Sequence, residues 1–260
     1  MTKLVRARVI GLLLTVIALT GAAAARDLSG WRGRKLAKAK ATSKATPAAG
    51  VKPRPVARKA TMPPAPSAPS APIAGCLTWL RKAKVPFHAG DARPGIAIPV
   101  VVDGPIAGVT YRTTSDKATS LVLDCALVYA LWLAGPALRE EGIHTALYSA
   151  SYQVRNVRGT SKRSKHSYGL ALDVHYFLTD DDEKWSVLDD YESGLGDELD
   201  CIGTPSTDAA RGLRTLYCRF TLGNIFHLVL GPDDNADHHN HFHLEAPAWG
   251  QPAKKLLSRR

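Results

Sequence analysis

The sequence predicts a mixed α+β fold for residues 76–260, in which helices flank a small antiparallel sheet. Two short segments, 96–102 and 108–113, are rich in β-branched residues and bounded by Gly or Pro, which is typical of strands. A third segment, 120–138, carries apolar residues at helical spacing. The domain of about 185 residues is long enough to bury roughly 70% of the surface of its unfolded chain.

The remaining elements are predicted in chain order. The helix at 120–138 is expected to stop near Gly135 and Pro136, since both residues are typical of a helix end. Further strands are predicted at 145–152 and 170–178, a second helix at 208–220, and a short last strand at 241–245. Together these segments give the mixed α+β class with an antiparallel sheet. The sequence contains no internal repeat and no Gly-rich phosphate loop.

The N-terminus, residues 1–25, has the pattern of a secretory signal peptide. A short basic start precedes an apolar run from Val9 to about Thr20, and small residues follow before Arg26. A single membrane anchor is the competing interpretation. The strongly apolar part is too short to span the ~30 Å hydrocarbon core comfortably. We therefore expect export to the periplasm or the extracellular space.

Residues 26–75 are rich in Ala, Pro, Lys and Arg and are predicted to be a disordered basic spacer. Residues 1–75 hold 14 Lys and Arg and one Asp, a net charge of +13, so the chain total of +11 leaves −2 for residues 76–260. The folded domain therefore lacks the basic charge of a nucleic-acid-binding domain. An exported basic arm would meet anionic envelope polymers first, or it would act as a tether with no specific ligand.

All four cysteines, Cys76, Cys125, Cys201 and Cys218, lie in the predicted domain. An even number in an exported chain favours disulfides, for which three connectivities are possible. No pair has zinc-knuckle spacing. We prefer the pairs Cys76–Cys125 and Cys201–Cys218.

The segment 238–245, "HHNHFHLE", contains four of the nine histidines of the chain. On an extended strand His241, His243 and Glu245 project to one side, while the residues between them face the core. Two imidazoles can thus point at one metal ion, and Glu245 can orient a ligand through a hydrogen bond. The letters "HNH" do not indicate a nuclease, because the residues of that motif are dispersed through a ββα unit.

A second cluster lies about 70 residues earlier, in "SKHSYGLALD". His166 precedes Asp173 by seven residues, and Gly169 allows a tight turn between them. Two histidines and one aspartate would form a three-ligand zinc site with an open position for water. His175 shares a strand face with Asp173, but we expect an ordinary exposed or hydrogen-bonded histidine there.

These two segments together resemble the LAS group of zinc peptidases, named for lysostaphin, D-alanyl-D-alanine peptidases and hedgehog proteins. Within that group the chain is most similar to bacterial proteins with an extensin-like C-terminal domain, on the segments 149–156, 164–173 and 216–245. The similarity covers most of residues 76–247. It implies the hedgehog-like zinc peptidase fold and one Zn²⁺ ion.

The resemblance implies that His166, Asp173 and His243 are the zinc ligands. His241 stands where penicillin-insensitive murein endopeptidases have a catalytic-site histidine, and His238 matches the first histidine of their H-x-x-H-x-H element. Other branches of the group have a glutamate general base in an E-x-x-H element, which this sequence lacks. A neutral histidine can accept a proton near pH 7, so His241 is the expected base.

Arg155 matches the arginine that faces the substrate in this group. Its guanidinium could hold a carboxylate or polarise the scissile carbonyl. The alternative is that Arg155 belongs to a solvated basic loop with its Lys and Arg neighbours. Ser164 and Tyr168 are expected to line the pocket or support the ligands.

We therefore expect an exported zinc metallopeptidase that cleaves peptidoglycan stem peptides or cross-links, with endopeptidase activity favoured over carboxypeptidase activity. Peptidoglycan is the expected partner, and the protein is expected to be monomeric and associated with the cell wall. Two alternatives are a non-catalytic, zinc-stabilised wall-binding module and a toxin that degrades a competitor's wall with the same chemistry.

Overall fold

The computed structural model describes residues 73–115, 119–195 and 201–251. The predicted signal peptide and almost all of the predicted spacer lie outside these residues. The described part has the mixed α+β class that the sequence predicts.

The helices and strands alternate irregularly along the chain. The helices are α1 (Ile73–Lys82), α2 (Cys125–Glu140), α3 (Val187–Asp190) and α4 (Asp208–Leu222), with short 3-10 helices at Lys165–Tyr168 and Ala236–His238. The strands are β1 (Phe87–Ala89), β2 (Pro99–Val102), β3 (Thr110–Thr113), β4 (Leu121–Asp124), β5 (Ile143–Ala150), β6 (Ala171–Thr179), β7 (Lys184–Ser186), β8 (Leu228–Leu230) and β9 (Phe242–Glu245).

The strands form two sheets. The smaller is antiparallel, in the order β1-β2-β4, and the larger has the order β3-β5-β6-β9-β8 with β7 added beside β6. Within the larger sheet β3 pairs with β5 in parallel. The prediction of a purely antiparallel sheet is therefore wrong at this edge. The chain between β3 and β5 contains β4 and α2, which is long enough for the crossover that a parallel pair needs.

The predicted helix at 120–138 is wrong at both ends. Its first apolar residues form strand β4, which is buried on both faces, so periodicity could not distinguish this strand from a helix. Asp124 then ends the strand and caps α2, because its carboxylate accepts a hydrogen bond from the N–H of Ala126. The same carboxylate also accepts from the N–H groups of Ala97 and Ile98, in the segment before β2. The helix continues through Pro136 to Glu140.

Helix α2 is the central element of the core. It packs against α1, α4, β4 and β5. Gly135 is required on its surface, because a Cβ there would lie 2.4 Å from the Cβ of Ala107. The largest fully buried side chains include Leu127 and Leu131 of α2 and three phenylalanines, Phe177, Phe220 and Phe242.

Two disulfides fasten the periphery to this core, with the pairing that we preferred from the sequence. Cys76–Cys125 joins α1 to the start of α2, and Cys201–Cys218 joins a loop to α4. The loop that contains Cys201 is also held by Arg214, whose buried side chain donates hydrogen bonds to the carbonyls of Cys201 and Glu192. Disulfides indicate an oxidising environment, as expected for an exported protein.

Within the described ranges, no helix is both long and apolar enough to cross a membrane.

The register of the larger sheet brings the predicted metal ligands together. Strand β6 lies between β5 and β9, and Asp173 of β6 is directly opposite His243 of β9. Their neighbours Leu172, Val174 and Phe242 are buried in the core. Alternation along each strand then directs Asp173 and His243 to the opposite face of the sheet.

Candidate metal centre

Three predicted ligands meet in a buried cluster. Asp173 Oδ1 lies 2.6 Å from His243 Nδ1, and Asp173 Oδ2 lies 3.2 Å from His166 Nε2. His166 is fully buried, and Asp173 and His243 are only 7% and 6% exposed. One ligand atom from each residue lies within 4.8 Å of the other two. The inner trio of His166, Asp173 and His243 could therefore hold a metal ion.

His166 is oriented as a metal ligand would be. Its Nδ1–H donates a hydrogen bond to the backbone carbonyl of Ser151, at 2.6 Å. A carbonyl only accepts, so Nδ1 carries a proton, and in the tautomer protonated on Nδ1 alone the lone pair is on Nε2. That buried Nε2 approaches Asp173 without making a hydrogen bond. A lone pair that faces a carboxylate is repelled by its negative charge. A cation bound between the two groups would offset this repulsion.

His243 is held between two carboxylates. Its Nδ1 faces Asp173 and its Nε2 lies 3.1 Å from Glu245 Oε1. Both partners are acceptors, so both ring nitrogens donate and the imidazole is protonated. Burial lowers the pKa of His243, but the hydrogen bonds to Asp173 and Glu245 raise it to about 9. Glu245 thus makes the contact through which it was expected to orient a ligand, since a ligating imidazole usually donates its other N–H to a carboxylate.

Asp173 remains ionised although it is buried. Burial acts to raise its pKa, but the hydrogen bond from His243 and the close approach of the His166 ring outweigh burial and hold the pKa of this carboxyl well below its usual range. An ionised carboxylate beside two imidazoles is the donor set of many divalent-metal sites.

The 3-10 helix that carries His166 is fixed at both ends. Ser164 is its N-cap, and its hydroxyl accepts a hydrogen bond from the N–H of His166. Gly169 follows with a positive φ of 63°, where a Cβ would lie 2.8 Å from the backbone nitrogen of Asp124. Ser164 is buried and supports His166 through this hydrogen bond, whereas Tyr168 has an exposed side chain.

His241 lies beside the inner trio. Its Nε2 is 3.6 Å from Asp173 Oδ1, too far for a hydrogen bond. Its Nδ1–H donates to Oδ1 of Asn240 at 2.8 Å, which leaves the lone pair on Nε2. Burial lowers the pKa of His241 to about 4 despite the nearby Asp173 charge, so the imidazole is neutral at pH 7.

His238 completes a second group. Its ring centre is 5.1 Å from that of His241 and 5.4 Å from that of His243. Each of these three histidines has one ring nitrogen within 4.8 Å of the others. We call His238, His241 and His243 the outer trio, which shares only His243 with the inner one.

Arg155 reaches the centre from an exposed loop. Its Nη2 lies 3.9 Å from Asp173 Oδ2, and its side chain is 43% exposed. The loop is ordered by a bridge between Asn156 and Arg163, and the N–H of Arg155 donates to Ser167 Oγ at 2.8 Å. The loop is solvated and basic, as the alternative interpretation of Arg155 required, but its guanidinium approaches Asp173 of the inner trio.

Two contributors were not predicted. The carbonyl of Ser151 fixes His166, and Asn235 accepts from His238 Nδ1 at 2.7 Å. A backbone carbonyl has no sequence signature. His175 is hydrogen-bonded, as expected, through Nε2 to Ser149 Oγ, and its ring centre lies 5.1 Å from that of His241.

Comparison with known proteins gives one match. The family model for the C-terminus of extensin-like proteins matches residues 120–253, and this range contains both histidine trios and Asp173. A search of curated proteins and a search of solved structures gave no significant match. The family match spans just over half of the chain and the whole candidate centre, so this protein is a member of the extensin-like C-terminal domain family.

Proposed function

We propose that this protein is an exported zinc peptidase of the LAS type, which hydrolyses peptide bonds in peptidoglycan. The observation that carries the proposal is the buried inner trio, in which His166 Nε2 has no hydrogen-bond partner and faces the Asp173 carboxylate. A purely structural cluster would be expected to satisfy that nitrogen.

The donor set fits zinc. Two imidazole nitrogens and one carboxylate oxygen are a common three-ligand set of catalytic zinc sites, which keep a fourth position open. His166 would bind through Nε2, because its Nδ1 is occupied by Ser151. His243 would bind through Nδ1, because Glu245 holds its Nε2. Each histidine ligand thus has the second hydrogen bond that fixes its ring.

A zinc ion bound there would polarise the scissile carbonyl and activate the attacking water. His241 would then accept the proton of that water. Its Nδ1–H is fixed on Asn240, and its Nε2 lone pair lies on the Asp173 side of the ring. Burial lowers the pKa of His241 to about 4, so the ring is unprotonated near pH 7 and its Nε2 lone pair is available to that water.

Arg155 would bind the substrate. Its guanidinium is within reach of Asp173 and is still partly exposed, so it borders the inner trio on the solvent side. Guanidinium groups recognise carboxylates and stabilise developing negative charge on a carbonyl oxygen. In the proposed reaction Arg155 orients the peptide and stabilises the oxyanion.

Peptidoglycan is the proposed substrate because of the resemblance of the two histidine motifs to the LAS peptidases. The extensin-like family match and the two disulfides support an exported protein of this kind. An exported bacterial peptidase of this type would meet the stem peptides of the wall.

The test is incubation of the full chain with purified sacculi, with and without a chelator, followed by mass spectrometry of the released muropeptides. We expect zinc-dependent products from the unmodified protein, which also identify the bond that is cleaved. His241→Ala should release far less, whereas His239→Ala is a matched control, since His239 is exposed and belongs to neither trio. Metal binding without any product would contradict the peptidase proposal and favour a wall-binding module.

A further inference from the structure

The outer trio suggests a position for a metal ion in addition to the one that the inner trio could hold. The inner trio takes its ligands from β6, β9 and the first 3-10 helix, whereas His238 ends the second 3-10 helix and His241 directly precedes β9. Neither His238 nor His241 belongs to the inner trio. They therefore offer two imidazoles that a metal held by the inner trio does not require.

Both imidazoles present a lone pair. The Nδ1–H of His238 donates to Oδ1 of Asn235, at 2.7 Å, and the Nδ1–H of His241 donates to Oδ1 of Asn240, at 2.8 Å. In each neutral ring the remaining nitrogen, Nε2, is the acceptor. This is the arrangement in which an outer acceptor fixes the tautomer of a metal-binding histidine.

A carboxylate oxygen is available on the same side. Asp173 directs Oδ2 to His166, at 3.2 Å, while its Oδ1 lies 2.6 Å from His243 Nδ1 and 3.6 Å from His241 Nε2. Oδ1 thus lies between His243 of the inner trio and His241, so this carboxylate can be shared by two adjacent metal positions. Sites with two metal ions a few ångströms apart need such a shared negative group, because it offsets the repulsion between the cations.

Residues outside the two trios hold the segment that carries His238. Arg158 donates to Asp237 Oδ1 at 3.0 Å, and Asn235 also accepts from the N–H of Asp237. These contacts hold the second 3-10 helix beside the centre. His238 is half-buried there, whereas its neighbour His239 is exposed and donates to the carbonyl of Ala236.

We propose that His238 and His241, on the side of Asp173 Oδ1 and His243, form a second and weaker position for a divalent metal ion. Its affinity should be lower than that of the inner trio, because its two histidines are less buried and it shares its only carboxylate. Metal at this position would occupy the Nε2 lone pair of His241. Excess zinc would then prevent His241 from accepting a proton, and this inhibitory part of the inference depends on the proposed peptidase function.

The test is metal binding to the full chain after removal of all metal with a chelator. Equilibrium dialysis against increasing free Zn²⁺, with elemental analysis, should show two ions per chain, the second binding more weakly. His238→Gln should retain the tight ion and weaken the second by at least ~10-fold, the usual scale for disturbing a metal site. His239→Gln, the matched control, should bind both ions like the unmodified protein.

Saturation of the unmodified protein at one ion would overturn the inference, as would equal binding of the second ion by His238→Gln. Where muropeptides are released, activity should rise with the first ion and fall with the second, and the fall should need at least ~10-fold more zinc in His238→Gln. Two bound ions without activity would leave the second position established and refute the peptidase function. The two proposals can therefore fail separately.

Discussion

Asp173 and His243 are directly opposite each other on neighbouring antiparallel strands, and their side chains meet at 2.6 Å. Opposite positions in an antiparallel pair bring Cβ atoms within about 5.5 Å, so the sheet itself sets this contact. A shift of one residue in the register of β9 would turn His243 into the core and leave Asp173 without this partner. The juxtaposition of Asp173 and His243 is therefore a consequence of strand pairing.

Asp173→Asn tests the charge in this contact. The amide has almost the same size, so the sheet should form, but the negative charge that favours a cation is lost. We expect tight metal binding to disappear. In the metal-free protein the pKa of His243 should fall from about 9, because its hydrogen bond to an ionised Asp173 is one cause of the raised value. NMR titration of the histidine ring protons measures this pKa. An unchanged His243 pKa would contradict the assigned contact.

The two histidine segments could be predicted from sequence because their geometry is local. Alternation along a strand placed His241, His243 and Glu245 on one side, and the spacing of His166 and Asp173 across a turn predicted the other members of the cluster. The structure brings all of these residues together. What joins them is the β6–β9 register, which a single sequence does not encode locally.

The errors in the predicted fold also come from contacts between segments that are distant in the sequence. Leu121, Val122 and Leu123 are buried on both faces of a strand, so they lack the alternation that separates a strand from a helix. Pro136 is normally a helix-ending residue, yet α2 continues through it, packed against α1, α4 and β5. Tertiary packing decided both cases, and it also set the parallel β3–β5 pair.

Loss of the Cys201–Cys218 disulfide should destabilise the protein. The bridge closes a 17-residue separation, for which the chain-entropy model gives a nominal ~3 kcal/mol. The double variant Cys201→Ser with Cys218→Ser should lower the free energy of unfolding by about that amount, as measured by urea unfolding. Recovery of either cysteine as a free thiol in non-reducing peptide maps of the unmodified protein would contradict the pairing.

Metal binding should release a proton from His243. The metal-free imidazole is protonated at pH 7 because its pKa is raised to about 9, and a ligating imidazole must be neutral. Calorimetric titration with Zn²⁺ at pH 7, in buffers of different ionisation enthalpy, should therefore show about one proton released per first ion. Apparent affinity should rise as pH increases toward 9. Binding with no proton release would mean that His243 is not a ligand.

The same raised pKa has a consequence for folding of the metal-free protein. The folded pKa of His243 lies above its unfolded value of about 6.5, so its contribution to stability is fully present below that value and is lost as pH rises to about 9. Thermal unfolding of the metal-free protein should show this loss of stability between about pH 6.5 and about pH 9. In Asp173→Asn the loss should be smaller, because one partner of the protonated imidazole is weakened.

Substitution of His241 and substitution of His243 should have different effects on zinc content and on turnover. His243 belongs to both trios, so His243→Ala should remove tight metal binding and activity together. His241 is outside the inner trio, so His241→Ala should retain the first zinc ion while turnover falls by ~10²-fold or more. Elemental analysis and muropeptide release, measured on the same preparations, give the comparison. If His241→Ala lost the first ion as completely as His243→Ala, His241 would be a ligand and not the base.

Glu245→Gln tests how His243 is oriented. Glu245 accepts from His243 Nε2 at 3.1 Å, which leaves Nδ1 on the side of Asp173. Glutamine keeps the length of the side chain and can still accept a hydrogen bond, but it removes a charge that makes the imidazole a stronger donor to the metal. The affinity for the first zinc ion should fall by ~10- to 100-fold, with little change in the far-UV circular dichroism spectrum. Glu183→Gln is a suitable control, because Glu183 lies in the turn between β6 and β7 and contacts Trp185. Equal zinc affinity in both variants would show that Glu245 does not support the ligand, and His243 would then be oriented by Asp173 alone.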